Sequence, residues 1–244
     1  MRIDLGKLVS ILTKNWPLFF HGIRITCLFA LVGTLGGFLI GLIIGGIRAL
    51  TVEENDRMLI RIVKYIGRTL SRFYIWVFRG TPMMVQAIFL YYLLKPVLNW
   101  TSFTASLVII AVNTGAYMAE IIRSGIQSVD PGQSEACKSI GMNFSQSLFY
   151  VILPQAIRNS FPSIGNQLIV NIKDSSMLNV LSVTELFFQT KSVAGSNYRF
   201  IETYLISAVI YLILTSLASF VLNRLENRLN AEENTGKKIM EYAS

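Results

Sequence analysis

Between Ile25 and Ile47 the chain carries no charged residue, and the same holds from Pro96 to Ala119 and from Thr203 to Asn223. A helix that crosses the roughly 30 Å hydrocarbon layer needs about 20 such residues, because in lipid every backbone amide and carbonyl must be satisfied within the segment itself. Three runs are long enough outright. A fourth, Gly80–Leu94, reaches that length only with its flanks, and a fifth, "FPSIGNQLIVNIKDSSMLNVLSV" at 161–183, is interrupted in its middle by Lys173, Asp174, Ser175 and Ser176. The pattern predicts an all-α integral membrane protein with about five transmembrane helices, near 19–47, 70–98, 103–123, 161–183 and 202–224, forming one domain over 1–244. With 52% hydrophobic and 15% charged residues, the chain lies outside the range of soluble domains. Nothing before Ile25 has the apolar core and cleavage pattern of a secretory signal, so the first run is expected to remain a span.

A net charge of +8 could suggest a nucleic-acid partner, but the basic residues flank the hydrophobic runs and no basic domain stands apart from them, so no nucleic acid is expected and membrane lipid is. If 48–80, 122–149 and 223–244 are inside, they gather 13 basic residues against 8 outside, which favours an external N-terminus and a cytoplasmic C-terminus. The polar tail, about 225–244, mixes both signs and is the one candidate for disorder. Cys27 and Cys137 fall in a span and in a polar stretch, so no disulfide framework is expected; one histidine and two distant cysteines leave no metal-ligand cluster.

Within the first span Gly33, Gly37, Gly41 and Gly45 recur every four residues and line one helical face. Small residues at this spacing let a second helix backbone approach closely in lipid, where packing drives association; a glycine hinge is the alternative. From Arg57 the basic residues at 57, 61, 64, 68, 72 and 79 keep to one stripe of an amphipathic helix at the anionic inner surface, and "FRGTP" at 78–82 marks a bend, because Pro82 has no amide hydrogen to donate. The third span carries Asn113, Thr114, Tyr117 and Glu120. A carboxylate within the hydrocarbon needs a partner or water, which makes Glu120 a pathway residue, or else a partner of Arg123 at i+3 near the interface.

Lys173 lies 12 residues beyond Phe161, so at a rise of ~1.5 Å per residue it sits about 18 Å into the fifth run, past the midplane. Polar interruptions at that depth are tolerated where they line a cavity, as at the substrate sites of transporters. The alternative places Phe161 outside the membrane, with the charged pair emerging at the far headgroups.

The stretch "DPGQSEACKSIGMNFSQSLFYVILP", 130–154, reads as two short capped helices on the cytoplasmic side. Asp130 suits an N-cap, Pro131 the first helical position and Gln133 the N3 position of a capping box; Gly141 can take the left-handed conformation that stops the helix. Asn143 with Gln146 offers a second capping pair, and Pro154 ends or kinks the second helix. Glu135 and Lys138 are expected to be exposed while Ala136, Cys137, Ile140, Phe144 and Leu148 pack. By spacing alone this is a packed loop as readily as a docking element.

Glu135-Ala136-Cys137, followed by Gly141 and Leu153-Pro154, resembles the Glu-Ala-Ala…Gly…Leu-Pro loop of ATP-binding-cassette importer permeases, with Cys137 in place of the usual alanine. The ordered set "RGTP" (79–82), "AYMAEIIRSGI" (116–126), "GQSEA" (132–136), "LPQAIR" (153–158), "KDSSML" (173–178) and "TEL" (184–186) is similar to the polar amino-acid uptake permeases of that type I importer family. The resemblance implies a bacterial-type inner-membrane subunit whose coupling helix, with Gln133, Glu135, Ala136, Cys137, Gly141, Leu153 and Pro154, docks on a separate ATP-binding subunit. It further implies two copies of that ATPase, a solute-binding protein outside, and a second permease copy or a sister permease. Lys173-Asp174-Ser175-Ser176-Met177 departs from the family's Lys-Asp-Thr-Ser-Leu.

No G-x-x-x-x-G-K-[ST] occurs anywhere, since Gly236-Lys237-Lys238 lacks the upstream glycine and the hydroxyl; ATP and magnesium are therefore expected on the partner, with no cofactor on this chain and no enzyme activity of its own. A zwitterionic amino acid needs an acceptor for its ammonium and donors for its carboxylate, and Glu120, Lys173, Asp174, Ser175 and Ser176 offer both kinds for a polar substrate such as glutamine, a basic amino acid or cystine. A self-contained secondary carrier that couples ions or protons through Glu120 and Asp174 is the alternative.

Overall fold

The protein is described from a computed structural model that covers residues 4–50 and 57–243, with side chains through 228. Among the described residues there is no strand, and the helices run in order: α1 (Leu5–Lys14), α2 (Trp16–Ala49), α3 (Met58–Gly80), α4 (Met83–Leu98), α5 (Ser102–Gln127), α6 (Pro131–Ser139), α7 (Phe144–Gln146), α8 (Leu153–Asp174), α9 (Leu186–Asn197) and α10 (Phe200–Ala243). A π-helical turn at Ser147–Ile152 joins α7 to α8, and a 3₁₀ turn at Ser175–Leu181 continues α8.

Among the described residues three helices are long and apolar enough to span a bilayer, namely α2, α5 and α10 as far as Arg228; α3 and α4, bent by 116° at their junction, make a fourth if taken as one broken span. The bend falls at Thr81-Pro82, where the missing proline amide breaks the helical ladder. Gln86 holds it: its side-chain amide donates to Phe78 O at 3.0 Å, Thr81 O at 2.9 Å and Thr81 Oγ1 at 2.8 Å. The expected span at 70–98 is thus two helices, the first starting at Met58.

The expected helix over 161–183 is also redrawn. Helix α8 starts at Leu153 and stops at Asp174, and its Asn159, Ser160, Ser163, Gln167 and Asn171 make it too polar to register as a span on composition. That polarity suits its place, since α8 packs against α5, α2 and α10 and turns polar groups toward them. Asn171 donates to Thr34 Oγ1 of α2 at 2.9 Å and accepts from Thr114 Oγ1 of α5 at 3.0 Å, tying three helices at one buried point. Each such bond contributes about 0.6 kcal/mol in a membrane protein, so the network selects a register more than it supplies stability.

The α2–α5 contact is the most extensive in the fold. Gly33, Gly37, Gly41 and Gly45 are all on it, facing Ile110, Thr114, Met118 and Ile122 in turn; a Cβ on Gly37 would lie 2.5 Å from the Thr114 methyl. The backbones meet where a side chain has no room. Apolar residues close the bundle on both sides. Phe29, Met83, Ile109, Ile110 and Leu178 form one cluster, and Ile11, Phe19, Leu186, Val193 and Ile206 form another, in which α1 lies against α10. The sequence pattern gave no sign of α1. The tail, the one candidate for disorder in the sequence, is helical to Ala243: residues 225–243 contain no proline and many Glu, Lys, Arg, Leu and Ala, which favour helix.

Candidate functional site

Residues 130–154 form a projection between α5 and α8. Asp130 caps α6 by accepting from Gly132 N at 2.7 Å, with Pro131 at the first helical position. Gln133 does not complete a capping box; its side-chain oxygen lies 3.4 Å from Gln155 Nε2, which ties α6 to the start of α8. At the other end Gly141 has φ +79°, Met142 N donates to Cys137 O and Gly141 N to Lys138 O, both at 3.0 Å. These are the paired bonds of a Schellman motif, closed by a residue in the left-handed region. Asn143 and Gln146 then exchange side-chain-to-backbone bonds, both 2.9 Å, in a full capping box.

Pro154 does not end the second helix. The π turn before it shifts bonding from i−4 to i−5, with Leu153 N donating to Leu148 O, so the chain enters α8 with the proline in its first turn, where no amide is required. The second short helix is therefore the beginning of a helical run from Phe144 to Asp174. Cys137 and Leu148 are buried; Ala136 and Ile140, expected to pack, are exposed, Ile140 to 78%, beside Glu135 and Lys138. The physical reason is how short the helix is: α6 packs against the π turn, Ala136 lies about 100° around the helix from Cys137, and Ile140 is the C-cap, where the helical face that buries Cys137 has already ended.

Glu120 lies in the last third of α5. It forms ion pairs with Arg48 of α2 and, at 2.7 Å, with Arg123 Nε; its side chain is 21% exposed. The Arg48 contact spans 72 positions, and no local spacing signals it. Beside this cluster is a cavity of about 500 Å³ lined by Arg79, Tyr117, Glu120, Arg123, Ser160 and Gln167, among others. The Arg79 guanidinium lies over the Tyr117 ring, 5.4 Å from its centre.

Lys173, Asp174, Ser175 and Ser176 are at the opposite end of α8 and do not line that cavity. Because α8 starts at Leu153, Lys173 lies 20 residues into it, ~30 Å at helical rise and not the 18 Å counted from Phe161. Lys173 is exposed, Asp174 half-buried and Ser175 buried; Ser175 Oγ donates to Ile172 O at 2.9 Å, and neither Lys173 nor Asp174 has a side-chain bond among the described residues. The 3₁₀ turn ends at Ser182, with φ +61°. Sequence reasoning missed Glu185, which is fully buried and caps α9 by accepting from Phe187 N and Phe188 N at 2.7 Å while Tyr211 Oη donates to it at 3.1 Å. Its signal was a carboxylate one position before an apolar helix start. His21, a lone histidine, lies 3.2 Å from Thr184 Oγ1.

Residues 61–231 match the model of the binding-protein-dependent transport system inner membrane component. The glutamine transport system permease protein GlnP of Escherichia coli K12 is 37% identical over 216 residues, covering 87% of this chain and 93% of that protein. The arginine transport system permease protein ArtQ of Bacillus subtilis 168 is 30% identical over 219 residues, covering 89% and 94%. The crystal structure of an amino acid ABC transporter with histidines superposes with a TM-score of 0.79 at 36% identity, over 93% of this chain and 100% of that one.

Proposed function

The chain belongs to the binding-protein-dependent transport inner-membrane components and is a multi-pass translocation subunit of an amino-acid ATP-binding-cassette importer, working with an ATPase subunit; from that premise we propose how its parts divide the task. The projection at 130–154 is the coupling element. The observation that carries this is α6: a helix of nine residues closed at both ends by its own side chains and backbone, presenting Glu135, Ala136 and a 78% exposed Ile140 to a partner. An apolar side chain rimmed by charges on a rigid helix is the form of an interface anchor. Gln133, Cys137, Gly141, Leu153 and Pro154 hold that helix in place behind the contact face.

The functional complex contains two ATPase subunits, a second copy of this chain or a sister permease, and an extracytoplasmic solute-binding protein. ATP and magnesium bind the ATPase subunits, because this chain has no phosphate-cradling loop in its sequence. Residues 130–154 face the cytoplasm with the C-terminus, and the N-terminus faces outward, as the distribution of basic residues favours. The substrate is a polar amino acid, in keeping with the glutamine and arginine permeases to which the chain is similar. The cavity beside Glu120 and the Lys173–Ser176 turn are separate stations along its path: guanidinium and hydroxyl donors suit a carboxylate, and Asp174 suits an ammonium.

Vesicles reconstituted with the permease, the ATPase and the binding protein test the whole reading. Uptake of a polar amino acid is expected only with ATP and all three components; uptake by the permease alone, driven by an ion gradient, would overturn it in favour of a secondary carrier.

A further inference from the structure

At the ends of α2 and α5 nearest the coupling element, Arg48, Arg68, Arg72 and Arg123 surround a pocket of about 380 Å³, with Gln127 at its edge. Two of these arginines have a local explanation. Arg48 is in the last turn of α2 and Arg123 in the penultimate turn of α5, where the helix dipole favours cations, and both pair with Glu120. Arg68 and Arg72 belong instead to the basic stripe of α3, which suits an anionic surface and not a partner within the protein. They project from the middle of α3, one turn apart, and carry no ion pair or hydrogen bond among the described residues. Among the described residues the one carboxylate paired with these arginines is Glu120, which takes Arg48 and Arg123, and the described lining of the pocket is left with an excess of positive charge that an anion would balance.

The surroundings of the pocket identify the anion. A second cavity, about 360 Å³, is lined by Leu42, Ile43, Ile47, Leu50, Leu148 and Phe149. It borders the arginine pocket along residues 46–50, the last turn of α2 and its C-cap, and Ile126 lines both. A diffusible anion such as phosphate would use the arginines and leave the groove unexplained. An ATPase subunit would dock on the projecting α6, whereas the groove is sunk between α2 and the π turn.

We propose that this pair of cavities is a binding site for one anionic phospholipid, with its phosphodiester among Arg48, Arg68, Arg72 and Arg123 and an acyl chain along the groove. Arginine forks match phosphate oxygens two at a time, and basic pockets between helices at the cytoplasmic side suit anionic headgroups. The bound lipid would brace α3 against α2 and α5 immediately behind the coupling element, so that transport depends on the composition of the inner leaflet. The leaflet assignment rests on the orientation proposed above; the site itself does not.

The test counts lipids on the purified permease–ATPase complex by native mass spectrometry after titration with phosphatidylglycerol or phosphatidylcholine of the same acyl chains. Tighter retention of phosphatidylglycerol is expected on the wild type, and equal retention overturns the proposal without recourse to any variant. In R68Q/R72Q the preference should fall about thirtyfold, at about 1 kcal/mol for each basic residue near an anionic headgroup, while R68K/R72K retains most of it. Millimolar inorganic phosphate should not displace the lipid, and Ile43→Ser should weaken it. Full displacement by phosphate with no effect of Ile43→Ser would assign the pocket to a free anion and overturn the lipid. Loss of the ATPase from R68Q/R72Q with lipid retention unchanged would assign it to the partner subunit, again overturning it. A failure of the coupling reading would appear elsewhere, as normal ATPase recovery in α6 variants, and would leave the lipid counts untouched.

Discussion

Helix α8 leaves the bundle differently at its two ends. At its N-terminal end the chain projects as α6 and α7, closed by Gly141 at φ +79° and exposing Glu135, Ala136 and Ile140. At its C-terminal end it tightens into a 3₁₀ turn closed by Ser182 at φ +61°, which buries Ser175, Leu178 and Leu181 among α2, α4, α5 and α9. Both ends use a left-handed residue to reverse the chain, yet one offers a surface and the other fills the bundle. Local backbone chemistry sets where a helix stops; the number of neighbouring helices decides whether the turn is available to a partner.

The substitution that separates the ends most is Asp174→Asn. If Asp174 meets the ammonium of the substrate, removing its charge should reduce uptake by ten- to more than a hundredfold, about 1.5–3 kcal/mol, with recovery and basal hydrolysis of the ATPase unchanged. Uptake, hydrolysis and complex yield measured together check this. Misassembly that is repaired by neutralising Lys173 as well would instead make the pair structural, although the two side chains form no ion pair.

The reverse pattern is expected for Ile140→Asp. A charge placed on the exposed anchor of α6 should weaken ATPase binding by about 2 kcal/mol, roughly thirtyfold, with the permease fold intact. Co-purification and ATP-driven uptake measure the loss, and normal values for both would remove α6 from the interface.

Gly141→Val asks whether the α6 turn needs its geometry or only its space. A Cβ at Gly141 meets nothing within 4 Å, so any damage comes from the backbone: the left-handed conformation costs a side-chain-bearing residue about 1–2 kcal/mol, and a β-branched one is a clear outlier there. Weaker coupling is expected in Gly141→Val and nearly normal coupling in Gly141→Asn, as read from co-purification. Equal behaviour of the two would mean that the turn is not held at positive φ.

The smallest effect belongs to the matching position at the other end. Ser182→Gly should relieve strain and raise thermal stability, by less than about 1 kcal/mol because glycine also loses more chain entropy on folding. A large loss of stability would show that the Ser182 side chain has a packing role that its backbone angle does not reveal.

Much of the projection was legible in the sequence because its determinants are local. Asp130-Pro131, Gly141 and the Asn143/Gln146 pair act over three or four positions, and the same range governs the glycine stripe of α2 and the break at Pro82. The errors arose where a local rule met a neighbour. Pro154 was expected to end or kink a helix, and it does not end one, because the preceding π turn removes the need for its amide; α8 was started eight residues late because its first turns are polar and were judged by hydropathy. Ile140 was expected to pack because it is apolar, although the nine-residue helix has only one face against the bundle.

By itself the sequence determined that this chain is helical, that it resides in a membrane, where its helices can begin and stop, and which family's motifs it carries in order. Length, charge spacing and capping chemistry are properties of contiguous residues and need no partner to be read. The tertiary structure alone decided that Glu120 meets Arg48, that Asn171 joins Thr34 to Thr114, that Glu185 is buried against Tyr211, and that four arginines converge behind the coupling element. Those pairings cross from one helix to another. In lipid they are selected by which polar groups can find each other once the small-residue faces have brought the backbones together, and that is a property of the packed bundle rather than of any one segment.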